Sequence, residues 1–78
     1  MSFNFAERLL NELTRDELNK LTRDEWKRVS YLIKKAQKLY DTNKDSEARK
    51  TLESAVVVLK AHGEYSAANK VQYYIRFT

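Results

Sequence analysis

Five cations and one phenol set the chemistry open to this chain: Lys27, Arg28, Lys34, Lys35 and Lys38, with Tyr31 among them. The stretch that carries them, Trp26 to Tyr40, holds no acidic residue. Wound as an α-helix at about 100° per residue, it separates into two faces. The five cations fall within roughly 120° of one another, and Tyr31 projects into the middle of that sector. Val29, Leu32, Ile33, Ala36, Leu39 and Tyr40 gather on the opposite side, with Trp26 at the margin. Clustered ammonium and guanidinium groups attract a phosphate backbone, and an aromatic ring beside them can stack on an unpaired base. The nucleic-acid-binding candidates are therefore Lys27, Arg28, Tyr31, Lys34, Lys35 and Lys38.

Catalytic chemistry has little to build on. His62 is the single histidine, cysteine is absent, and no glycine-rich phosphate loop or metal-ligand spacing occurs. The adjacent carboxylates Asp16-Glu17 and Asp24-Glu25 resemble acid–base pairs, yet each follows a threonine in a capping-box pattern. First-turn acids at two helix starts explain them better, because carboxylates suit the positive end of the helix dipole. His62 precedes Gly63, where an imidazole can bond the last carbonyls of a helix. The reading is a protein that is not an enzyme, with no cofactor and no metal.

Seventy-eight residues allow one domain, 1–78, with a modest core. The chain has no proline and one glycine, so helices joined by short turns are expected. The net charge of +4 is unevenly placed: residues 1–25 sum to −2, residues 26–40 to +5 and residues 41–78 to +1. The positive excess thus belongs to one helix. No apolar run reaches the length of a membrane span, and the first residues lack the pattern of a signal peptide. A cysteine-free chain of this kind fits a reducing cytoplasm.

The elements that must position the cations follow from caps and periodicity. Ser2 can cap a first helix over about Phe3–Glu12. Leu13-Thr14-Arg15-Asp16-Glu17-Leu18 and Leu21-Thr22-Arg23-Asp24-Glu25-Trp26 echo one another as successive helix starts. Thr14 is expected to open a very short second helix ending near Asn19–Leu21, and Thr22 a long third one running to about Asp41. Asp45 is a plausible cap for a fourth helix over Ser46–His62. Its Val56-Val57-Val58 run has low helix propensity and is read as a helix packed on two sides. Gly63 is the left-handed stop, and a last helix covers about Tyr65–Phe77. Tyr73 and Tyr74 point about 100° apart, so one of them should be exposed. The fold class is all-α, a small bundle of four to five helices.

Two resemblances add to this reading. From Leu32 onward, Leu32, Ala36, Leu39, Ala48, Leu52 and Ala55 are spaced as in a tetratricopeptide hairpin. Lys60 stands where that family usually has proline, and only about one and a half units are present. The hairpin geometry follows from this resemblance and the peptide-binding groove does not. Across most of the chain, especially Leu21–Val29 and His62–Asn69, the text resembles the UvsW-dot-one family, small companions of the UvsW helicase in T-even bacteriophages. That resemblance implies a compact helical bundle similar to the nucleic-acid-binding module at the end of RecQ-type helicases. It implies a role beside a helicase in recombination, repair and replication, and a host-cell cytoplasmic location. It transfers no functional residue.

A lysine-rich sector is often only the solvated side of an amphipathic helix. Two features favour a polyanion surface instead: no acid supplies i,i+4 ion pairs within the sector, and Tyr31 lies inside it. The leading expectation is weak, sequence-tolerant binding of single-stranded or branched DNA beside a helicase or recombination protein. The alternative is a protein–protein adaptor that meets its partner through Val57, Tyr73 and Phe77. Lodging on a membrane surface is disfavoured, because the apolar side of the third helix is needed for the core.

Overall fold

A computed structural model describes residues 4–15 and 20–77 of the chain. Four helices account for most of them: α1 (Phe5–Arg15), α2 (Arg23–Asp41), α3 (Asp45–Ala61) and α4 (Tyr65–Phe77). No strand occurs among the described residues. Helix α3 packs against α2 on one side and α4 on the other, and α1 rests on α2 and α4. The four helices therefore close a ring around one core.

The first helix departs from the sequence expectation at both ends. It begins at Phe5, where the Asn4 side-chain oxygen accepts from the Glu7 N–H at 3.4 Å. Ser2 and Phe3, expected as cap and first helical residue, lie outside the described residues. At the far end α1 continues through Thr14 and Arg15, so Thr14 does not open a second helix. Its hydroxyl instead donates back to the Leu10 carbonyl at 2.8 Å. Burial explains the outcome. Phe5, Leu9 and Leu13 recur every four residues and are almost wholly buried, which requires helical backbone through Leu13. Burying one such side chain is worth about 1.5–3 kcal/mol, against about 1 kcal/mol for a threonine cap. The rest of the expected short helix, residues 16–19, lies outside the described residues.

The second helix starts as its residues dictate. Thr22 is extended at φ −72° and ψ 165°, and its hydroxyl oxygen accepts from the Glu25 N–H at 3.2 Å. The Glu25 carboxylate accepts in return from the Thr22 N–H at 3.0 Å, which completes the capping box. Val29, Ile33 and Ala36 are fully buried, so the apolar stripe of α2 is consumed by the core.

The turns on either side of α3 share one design. In the first, Asn43 is left-handed at φ 62° and the Lys44 N–H reaches back to the Leu39 carbonyl at 2.8 Å. In the second, Gly63 takes φ 75° and the Glu64 N–H reaches the Leu59 carbonyl at 2.9 Å. Each closure satisfies carbonyls that the helix end would leave bare. Each also delivers a buried alanine, Ala48 or Ala68, four residues later, where small side chains let the helices approach. This is the hairpin geometry that the tetratricopeptide-like spacing implies. Asp45 is not the cap of α3: Lys44 takes that position without a side-chain bond, and Asp45 is the first helical residue. There its charge still favours the positive end of the helix.

Within α3 the valine run is helical. Val56 is buried, Val58 packs against the core from its edge, and Val57 is 66% exposed. Helix α4 adds Ala67, Ala68, Val71 and Tyr74. The ring of Tyr74 lies 6.1 Å from that of Phe5, and Phe5 meets Tyr40 edge-on at 5.4 Å. One phenylalanine thus ties α1 to both of its neighbours.

Candidate nucleic-acid interface

Helix α2 is long enough to carry a linear array. Lys27 to Lys38 spans about 16 Å of helix axis, over which one strand of a B-form duplex presents about five phosphates. Lys27, Arg28, Lys34, Lys35 and Lys38 are all exposed, as the helical wheel requires. Tyr31 is 62% exposed and shares their face. The structure therefore brings all six candidates together. The reason is packing: the core takes Val29, Ile33 and Ala36, and everything opposite that stripe is turned outward.

No carboxylate among the described residues forms an ion pair with these five cations. The described carboxylate contacts to basic side chains lie elsewhere, between Arg8 and Glu12 at 3.8 Å and between the His62 ring and Glu25. Acidic groups do stand at the two ends of the array. Asp24 lies one turn before Arg28, and Asp41 closes the helix, where it accepts from the Gln37 amide at 3.0 Å. Arg23, exposed one turn before Lys27, extends the cationic ridge by one residue. That extension was readable from the wheel, but it sits outside the acid-free segment that draws the eye.

The remaining candidates resolve into structure. The His62 ring nitrogen Nδ1 lies 2.8 Å from the Val58 carbonyl, the helix-end contact expected of it. Its Nε2 meets the Glu25 carboxylate, a contact that nothing in the local sequence announces. Glu25 is held below the ordinary glutamate value of 4.5, first by the Thr22 backbone N–H and then by the Thr22 hydroxyl, with His62 assisting and burial opposing. Asp24 is an exposed first-turn acid, and Asp16 and Glu17 lie outside the described residues. Trp26 is half-buried at the margin of the core.

Of the tyrosine pair, Tyr73 is 57% exposed and Tyr74 is buried. The Tyr74 hydroxyl approaches Glu12 of α1 at 3.5 Å. Burial first, and the Glu12 charge second, push its phenol above the ordinary value of 10. Val57 is exposed on α3 and Tyr73 on α4, while the Phe77 side chain lies outside what is described. Among the described residues, no group of three histidine, cysteine or acidic side chains is placed to hold a metal ion. No described helix is long and apolar enough to cross a membrane.

No family model, curated protein or solved structure matches this chain.

Proposed function

We propose that this protein is a non-enzymatic helical accessory that binds nucleic acid weakly through the outer face of α2. Lys27, Arg28, Lys34, Lys35 and Lys38 hold successive phosphates, and Tyr31 stacks where the strand is single. One observation carries the reading: all five cations and the phenol are exposed on one helix, with no carboxylate among the described residues paired to them. Desolvating a cation that already has a partner is costly, whereas unpaired cations release counterions when they meet phosphates. The sequence resemblance to helicase companions supports a place beside a helicase in phage DNA recombination, repair and replication, in the host cytoplasm. The partner helicase is part of the proposal and rests on that resemblance alone.

An amide-shift titration with single-stranded and duplex DNA tests the reading. Shifts confined to the outward positions of residues 27–38 are expected, and they should vanish as salt is raised. A second reading, a protein–protein adaptor, draws on the exposure of Val57 on α3 and Tyr73 on α4. Undetectable DNA binding at low salt would favour it and remove the first.

A further inference from the structure

Along the cationic ridge, an open trough of about 420 Å³ runs between α1 and α2. Ala6 and Leu10 of α1 give it an apolar lining, Asn11 stands on the α1 side, and Lys34 and Lys38 stand on the α2 side with Gln37. Gln37 is fixed in place. Its amide oxygen accepts from the Ala6 N–H at 3.2 Å, and its amide nitrogen donates to Asp41 at 3.0 Å. The same contact joins the backbone of α1 to α2 at Ala6.

The chemistry of the walls restricts what fits. A free phosphate uses the two lysines and leaves the apolar lining wet. An apolar peptide side chain covers Ala6 and Leu10 and leaves the ammonium groups without a partner. A nucleotide uses both, because a flat ring with hydrogen-bonding edges is joined to an anion a few ångströms away. The trough's volume lies in the range of about 300–1,000 Å³ usual for small-ligand clefts. Glu7 stands on the α1 lip and repels anions, so a strand in the trough must carry its phosphates on the α2 side. There the lysines continue into Lys27, Arg28 and Lys35.

We propose that the α1–α2 trough seats one unstacked nucleobase of a single strand whose phosphates run over Lys34 and Lys38. The inference rests on the nucleic-acid reading of α2 and adds to it a preference for unpaired strand, since a base stacked in duplex cannot enter. Unstacked bases are the usual targets of such pockets, and their contacts tolerate sequence.

The test is a titration of the methyl-labelled full chain at low salt. One arm uses a short oligothymidylate and the other an abasic oligomer of equal length and charge. The oligothymidylate is expected to bind about fivefold tighter or more, and to shift the Leu10 and Ala6 methyls. The abasic oligomer is expected to shift only the α2 positions. Unmoved Leu10 and Ala6 methyls at saturating oligothymidylate, whatever the two affinities, would overturn the trough and leave the cationic face standing. Absence of binding in both arms would overturn both. Leu10 methyl shifts that depend on protein concentration alone would assign the trough to a second copy of the chain and likewise overturn the proposal.

Discussion

The imidazole of His62, at the C-terminal end of α3, meets the carboxylate of Glu25 in the first turn of α2. The same carboxylate closes the capping box on Thr22, and the other ring nitrogen of His62 lies against the Val58 carbonyl. One network therefore ties the start of the cation-bearing helix to the end of the next. A neutral imidazole has one N–H and serves one of these acceptors, whereas the imidazolium serves both.

The acid side of the stability profile should report this network. The folded state holds Glu25 below its ordinary value, so its contribution is complete above 4.5 and is lost as pH falls through the lowered folded value. Chemical denaturation at stepped pH is expected to show an acid limb that Glu25→Gln flattens. Thr22→Ala should cost about 1 kcal/mol at neutral pH and flatten the same limb, because Thr22 supplies both leading causes of the shift. An acid limb unchanged in both variants would remove Glu25 from the account.

The alkaline side should report Tyr74. Its phenol is raised above 10 in the fold, so the stability it contributes is complete below 10 and is lost as pH climbs through the raised value. Tyr74→Phe keeps the contact with Phe5 and should remove that alkaline loss, at a neutral-pH cost of about 1 kcal/mol or less. Ultraviolet titration of the folded protein is expected to show one late phenol that is missing from the variant.

Phe5 of α1 is buried between Tyr40 of α2 and Tyr74 of α4. Phe5→Ala should cost about 3–4 kcal/mol, which is close to the whole stability of about 3–5 kcal/mol expected for a domain of this size. Circular dichroism of that variant should show an unfolded or barely folded chain at 25 °C. Phe5→Leu should stay folded with a lowered midpoint.

The paired turns separate two kinds of left-handed residue. Gly63 at φ 75° tolerates no Cβ without strain, and the added carbon would also meet the Lys20 side chain at 3.4 Å. Gly63→Ala is expected to destabilise by about 1 kcal/mol. Asn43→Gly, at φ 62°, should be neutral or stabilising by a few tenths of a kcal/mol. Thermal melts of the two variants should therefore move in opposite directions or differ clearly in size.

Local chemistry made much of this fold legible in the sequence. The Thr22–Glu25 box, the glycine stop at Gly63 and the acid-free stretch from Trp26 to Tyr40 are short-range signals, and each sits where its pattern places it. Thr14 failed because the same capping pattern competes with the burial of Leu13, and the larger free energy decides. Asp45 failed because the turn that closes on the Leu39 carbonyl puts Lys44 at the cap position, which leaves Asp45 as the first helical residue. The His62–Glu25 contact and the α1–α2 trough join residues far apart in the chain, and no periodicity encodes which helices will meet. That the six candidates share one exposed face was readable because this depends on one helix alone.

The salt dependence of oligonucleotide affinity tests the α2 interface most directly. Five phosphate contacts predict a log–log slope of about −3.5 on single strands and about −4.5 on duplex. Lys34→Glu combined with Lys35→Glu is expected to abolish measurable binding, while leaving the circular dichroism spectrum unchanged. Wild-type affinity that ignores salt, or binding that survives the double charge reversal, would contradict the assignment of the polyanion surface to α2.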